Sequence, residues 1–213
     1  MRFTKLMHAG VKLVKDGGTL VIDPGPFTEG AEALAEADAV LITHEHADHV
    51  EPDSFRTILR ARPDLQVWSN ESVTEHLTEF GDRIHQVRHG DSFTAAGFDV
   101  HVYGERHALS FPGDPPVRNT GYLVDAALFH PGDSFTIPEG KVDTLLVPVT
   151  APWLKWAEFV EYFRAVSPRQ GYAIHDAMLT EFGLTVLNSW LPDVSELAGA
   201  SLTRLPPGGT VDL

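Results

Sequence analysis

The chain of 213 residues contains no cysteine, which excludes disulfides and thiolate ligands and leaves nitrogen and oxygen as the only protein donors for an ion. Long apolar runs are also missing. No segment approaches the length of a membrane span, and Met1 to His8 has no signal-like apolar core, so the expectation is a cytoplasmic protein without a membrane partner. Positive charge is scarce, with 16 Lys and Arg against 30 Asp and Glu. The resulting net charge of −14 is spread along the sequence, so nucleic acid is disfavoured as a partner unless bound ions supply local positive charge. No Ser/Gly linker or charge block marks a boundary, and residues 1–213 read as one domain. The apolar fraction of 43% and charged fraction of 22% suit an ordinary globule.

What the sequence does have is histidine in an unusual place. The apolar run Asp38-Ala39-Val40-Leu41-Ile42 is followed by Thr43-His44-Glu45-His46-Ala47-Asp48-His49. A short apolar run ending in a polar cluster reads as a buried strand that delivers a loop. Alternate residues of an extended chain share a face, so His44 and His46 point the same way, while Asp48 and His49 reach a second point around the turn. A lone histidine would be a core hydrogen bonder or a solvated loop residue. Four donors side by side need an ion to hold them, and this spacing suits a two-metal site.

Taken in order, Arg2 to Met7, Val11 to Lys15 and Thr19 to Asp23 read as antiparallel strands, the last two joined by a Lys15-Asp16-Gly17-Gly18 turn. Asp23 either orients a metal-binding histidine or fixes the Pro24-Gly25 turn. A helix is expected from Gly30 to Ala37, another from Pro52 to Arg62, a strand from Gln66 to Ser69, and a helix from Glu71 to Phe80 capped by Asn70 and stopped by Gly81. His76, His85 and His89 are read as unliganded. The alternation in Ser92 to Ala95 and Phe98 to Tyr103 is a hairpin leading to Gly104-Glu105-Arg106-His107. Leu109 to Arg118 is a Pro/Gly-rich loop long enough to cover a cleft. A strand pair, Asn119 to Asp125 and Ala127 to His130, ends in Pro131-Gly132-Asp133-Ser134; by itself Asp133 is an ordinary turn residue.

Thr144 to Val149 reads as a buried strand and Pro152 to Val166 as a helix with Ala157, Val160, Phe163 and Val166 on its core face. Trp153 and Trp156 read as packing residues, although Trp153 is placed to line a cleft mouth. Gln170 to Ile174 delivers His175-Asp176, a helix follows from Met178 to Trp190, and the tail from Ala200 to Leu213 supplies two edge strands. Two β-rich halves, each followed by helices, suggest two sheets face to face with helices outside.

His44-Glu45-His46-Ala47-Asp48-His49 resembles the HxHxDH signature of the metallo-β-lactamase superfamily. Gly104 to His107, Asn119-Thr120-Gly121-Tyr122, His130-Pro131-Gly132-Asp133-Ser134 and Ala173-Ile174-His175-Asp176 resemble its ascorbate-6-phosphate lactonase-like branch. The resemblance implies an α/β fold, a four-layer αββα sandwich of two mixed sheets with helices outside. It implies that His44, His46 and His107 hold one divalent ion, that Asp48, His49 and His175 hold a second, and that Asp133 bridges them, since a carboxylate has two oxygens to share. Zinc is the expected metal, with manganese or iron as alternatives. The implied activity is hydrolysis of an ester, lactone or phosphodiester of a small metabolite by an activated water, with Asp48 and Asp133 nearest the chemistry. An iron-dependent oxidoreductase and a non-catalytic metal-binding or regulatory domain are the competing readings. Self-association into a homo-oligomer is compatible with all three. Whether Asp23, Asn119 or Trp153 touches the site is left open by the residues alone.

Overall fold

A computed structural model describes residues 1–27 and 34–213; the first half of the helix expected from Gly30 to Ala37 lies outside the described residues. The first half of the chain builds one sheet from β1 (Arg2–Lys5), β2 (Val11–Lys15), β3 (Gly18–Ile22), β4 (Ala39–Ile42), β5 (Gln66–Ser69) and β6 (Ile84–Gln86), in that spatial order. The second half builds another from β7 (Ser92–Ala95), β8 (Phe98–Tyr103), β9 (Gly121–Val124), β10 (Leu128–His130), β11 (Thr144–Pro148), β12 (Gln170–Ile174) and β13 (Ser201–Thr203), also in chain order. The tail then returns, and β14 (Thr210–Asp212) pairs with β1 at the edge of the first sheet. Each sheet is mixed. β1 to β3 are antiparallel and β3 to β6 parallel, while β7 to β10 are antiparallel and β10 to β13 parallel.

Strands buried on both faces explain the runs of apolar residues without polar alternation. In β3 and β4, Leu20, Ile22 and Leu41 enter the layer between the sheets, where they meet Phe98, Tyr122, Leu146 and Ile174 of the second sheet. Their neighbours Val21, Val40 and Ile42 face the other way, against Phe55 and Leu59 of α1 (Pro52–Ala61). On the far side, Phe129, Leu145 and Val147 pack against Phe159 and Phe163 of α2 (Trp156–Val166) and Leu187 and Leu191 of α3 (Glu181–Ala198). Fully burying such a side chain is worth about 1.5–3 kcal/mol, so these three apolar layers dominate the stability of the αββα sandwich.

Several boundaries differ from the sequence expectation, each for a local reason. β3 stops at Ile22 because Asp23 turns out of the strand with φ 51°. The helix expected from Pro152 begins only at Trp156, because Thr150 to Leu154 form a loop. The helix expected from Met178 starts at Glu181, where Thr180 accepts a hydrogen bond from the Gly183 amide at 3.2 Å, and it runs through Pro192 to Ala198. Glu71 to Phe80 is split into a four-residue α-turn, Glu71–Thr74, and a 3-10 segment, Glu75–Arg83, which breaks at Gly81 (φ 62°, ψ −133°), the expected stop.

Candidate metal centre

The strand directions decide where the polar residues meet. β1, β3 and β4 run parallel to one another in the first sheet, as do β8, β10, β11 and β12 in the second. His8 follows β1, Asp23 follows β3, His44 to His49 follow β4, His107 follows β8, Asp133 follows β10 and His175 follows β12. Both sheets thus carry these residues at the carboxyl ends of their strands, and the structure brings all seven residues picked from the sequence together in one cluster.

Within it, His44, His46 and His107 form one group of converging donors, with His44 Nε2 and His46 Nδ1 3.1 Å apart. Asp48, His49 and His175 form a second group, in which His175 Nε2 lies 3.4 Å and His49 Nε2 3.8 Å from Asp48 Oδ2. Asp133 stands between the two. Its Oδ2 is 3.5 Å from His107 Nε2 and 3.1 Å from His175 Nε2, and its Oδ1 is 3.2 Å from His49 Nε2. A tetrahedral ion with bonds of about 2.0–2.1 Å separates its ligands by about 3.3 Å, so these spacings are those of a ligand shell. Four buried atoms in the cluster, His49 Nε2, His107 Nε2, His175 Nε2 and Asp133 Oδ1, have no hydrogen-bond partner among the described residues. A buried polar atom left without a partner costs about 1–3 kcal/mol, and four that point at one another make sense if cations satisfy them. The donor set fits one or two divalent ions.

The surrounding residues fix the ring orientations. Asp23 Oδ2 accepts from His49 Nδ1 at 2.7 Å and from the Thr43 hydroxyl at 2.7 Å, and Thr43 Oγ1 in turn lies 3.0 Å from His44 Nδ1. His107 Nδ1 faces the Ala108 carbonyl, and His175 Nδ1 faces that of Thr150. In each case the proton belongs on Nδ1 and the Nε2 lone pair is aimed into the cluster. Asn119 Oδ1 accepts from the Asp133 amide at 2.9 Å, and Trp153 Nε1 donates to Asp133 Oδ2 at 2.9 Å. Asp23, Asn119 and Trp153 therefore all support the site, and Trp153 does more than pack. Gly132, at φ 63°, leaves no room for a side chain: a Cβ there would stand 2.2 Å from Asn119 Oδ1.

Electrostatics without ions shows what the residues are arranged to attract. Burial opposes ionisation of Asp133, yet the adjacent His49 and His175 outweigh it and hold the carboxyl well below its usual range. Burial likewise opposes charge on His175, but Asp133 and Asp48 push its pKa up to about 9. His44 and His46, by contrast, are held neutral by burial and by neighbouring histidines.

Sequence reasoning missed His8. It is buried, adopts φ 55°, and its Nε2 lies 3.1 Å from Asp48 Oδ2. Its Nδ1 accepts the Ala177 amide proton at 3.3 Å, so Nε2 carries the hydrogen and donates to Asp48. The His8 ring also lies against that of His175, with centroids 3.8 Å apart. One histidine after a strand carries no motif, and only the matching direction of β1 and β4 could have pointed to it. Close by, the fully buried Lys5 donates to Asp176 Oδ1 at 2.9 Å and to the His8 carbonyl at 3.2 Å, while Arg204 donates to Asp176 Oδ2 at 2.6 Å. These bonds tie the β1 end to the His175-Asp176 turn.

The cluster opens into a cavity of about 330 Å³, bordered by Asp48, Asp133 and His175 below and by Phe27, Trp153 and Met178 at its walls. His76, His85 and His89 take no part; His85 instead stacks on Trp68. Among the described residues, no helix is long and apolar enough to cross a membrane.

Comparison with known proteins agrees with this geometry. Residues 2–175 match the family model described as the beta-lactamase superfamily domain. The chain is 35% identical over 185 residues to Protein Rv0786c of Mycobacterium tuberculosis, covering 84% of this chain and 85% of that one. It is 33% identical over 154 residues to a UPF0173 metal-dependent hydrolase of Anoxybacillus flavithermus, covering 67% of each. In fold it is similar to Igni18, a metallo hydrolase from Ignicoccus hospitalis, at a TM-score of 0.75 and 19% identity over 99% of this chain and 97% of the other.

Proposed function

Because the chain belongs to the beta-lactamase superfamily domain family, the metallo-β-lactamase fold, we propose that it is a hydrolase in which His44, His46 and His107 hold one divalent ion, Asp48, His49 and His175 a second, and Asp133 both. The observation that carries this reading is the set of four buried, partnerless donor atoms facing one another across Asp133. Relatives are named metal-dependent hydrolases, which supports the reaction class. The imidazole-rich, sulfur-free donor set suits zinc best, with manganese and iron next.

Bound ions would supply a water of lowered pKa as nucleophile and a Lewis acid for the scissile oxygen. The protein's own share is positional. Trp153 fixes Asp133 from one side and leaves Oδ1 for the cluster. Asp48 is the more exposed of the two carboxylates that border the cavity, its side chain 30% exposed against 5% for Asp133. Burial raises its pKa, but His175, its Nε2 3.4 Å away, and the hydrogen bond from His8 outweigh that and hold it far below the carboxylate range. Asp48 thus remains an acceptor throughout, suited to orient the attacking water rather than to donate a proton. The bond cleaved is an ester, lactone or phosphodiester of a small metabolite, within residues 1–213 acting as one domain.

The test is metal analysis joined to turnover. Protein loaded with zinc or manganese should hold about two ions per chain, since seven donors exceed what one tetrahedral ion uses. It should hydrolyse chromogenic esters, lose that activity to a chelator, and regain it on reloading. At most one tight ion, or turnover indifferent to the chelator, would refute the two-ion reading.

A further inference from the structure

We infer that the substrate carries an uncharged, apolar group beside the scissile bond, so that metabolites with a phosphate or carboxylate in that place are excluded; this rests on the hydrolase reading above. The cavity is small for a ligand site, since such sites span about 300–1,000 Å³. Its walls away from the donor cluster are Phe27, Pro152, Trp153 and Met178, and among the described residues its only neutral polar lining group is Ser110. Among those residues, too, no Lys or Arg borders it. Lys155, two residues from Trp153, pairs instead with Glu158 at 3.4 Å.

Sites that take phosphate or carboxylate surround the non-reacting oxygens with Arg, Lys or backbone amides, because every anionic oxygen stripped of water needs a donor. Asp48 and Asp133 at the cavity floor are negative, and the positive charge of His175 and of bound ions would lie at the scissile group, out of reach of a tail along the walls. An anionic tail directed at Phe27 or Met178 would lose its hydration and gain no partner.

The rim points the same way. Phe27 is 43% exposed and Met178 54%, both at the mouth, and the Phe27 ring lies tilted against that of His8 with centroids 5.0 Å apart. Leu109 and Phe111, 62% and 58% exposed, flank Ser110 in the chain. Large apolar side chains left in water at a cleft mark where an apolar ligand lies.

The experiment compares kcat/KM of the zinc-loaded protein on p-nitrophenyl acetate, butyrate and hexanoate, on mono-p-nitrophenyl glutarate, and on bis-p-nitrophenyl phosphate. Contacts with added methylenes in an apolar pocket are worth tenfold or more, so kcat/KM should climb by about tenfold or more from acetate to hexanoate. The glutarate, whose carboxylate would lie along the walls, should fall below the butyrate. Met178→Lys, outside the donor cluster, should narrow the gap between glutarate and butyrate. Binding of hexanophenone, which has no scissile ester, should weaken in the same variant by calorimetry. Glutarate turnover equal to or above that of butyrate would overturn the inference and leave the hydrolase reading standing. Metal-dependent cleavage of none of the five would overturn the hydrolase reading, and the inference with it.

Discussion

Trp153 donates its indole N–H to Oδ2 of Asp133, the oxygen that also lies 3.1 Å from His175 and 3.5 Å from His107. An indole is a donor only, so this bond fixes which lone pair of the carboxylate remains for the donors of each group. Trp153→Phe keeps most of the packing against Phe135 and removes the donor. Outer contacts of this kind are worth about 10–100-fold in metal affinity or activity, and the variant should lose that much kcat while its melting temperature changes little. Unchanged kcat would reduce Trp153 to a wall.

Asp133→Asn should be more severe. The amide brings no negative charge and one weaker oxygen, so the loss in rate should exceed the roughly 100-fold of an outer contact. The backbone need not move, since the Asp133 amide keeps its bond to Asn119, and metal-free stability should shift by only about 1 kcal/mol. Near-native turnover in a folded variant would mean that Asp133 is only a turn residue.

The His8 to Asp48 bond predicts a lopsided defect. His8→Ala should weaken the ion held by Asp48, His49 and His175 by about 10–100-fold, leaving the His44, His46 and His107 ion at its original affinity. His8→Gln, whose Nε2 can donate from nearly the same place, should restore much of it. Competition with a graded chelator, followed by metal analysis, separates the two affinities. Equal weakening of both ions, or no rescue by Gln, would assign His8 a packing role.

The pH dependence of the metal-free protein follows from the raised pKa values of His175, about 9, and His49, well above its usual value. A histidine whose folded pKa is raised contributes stability that is complete below the unfolded value near 6.5 and disappears as pH climbs through the folded one. Metal-free protein should therefore lose stability between pH 6.5 and about 9. Uptake of zinc at neutral pH should release protons, because both Nε2 atoms must shed theirs to bind. Calorimetry in buffers of different ionisation enthalpy measures the release; uptake with no proton change would mean that His49 and His175 are already neutral before the metal binds.

The HxHxDH loop is legible in the sequence because its donors are local, four within six residues after one apolar run. His107, Asp133 and His175 are single residues at strand ends, and composition alone does not distinguish them from turn formers; they stand out through the superfamily resemblance. Tyr122 illustrates how the sandwich itself is legible: it alternates into the inter-sheet layer from a strand apolar on both faces. The start of α2 is not, since Pro152 is a good first helical residue and only the need to bring Trp153 onto Asp133 holds Thr150 to Leu154 out of the helix. His8 is hidden for a related reason, since its partner Asp48 is set by strand direction rather than by spacing.

The division of donors between the two sheets also bears on the order of folding. His44, His46, Asp48 and His49 come from the first sheet and His107, Asp133 and His175 from the second, so neither half of the chain holds a complete set. Contacts so distant in sequence close last, after the entropy of the intervening loops has been met by the apolar layer between the sheets. Bound ions would then meet a finished pocket instead of nucleating one, and withdrawing them should leave the two sheets docked.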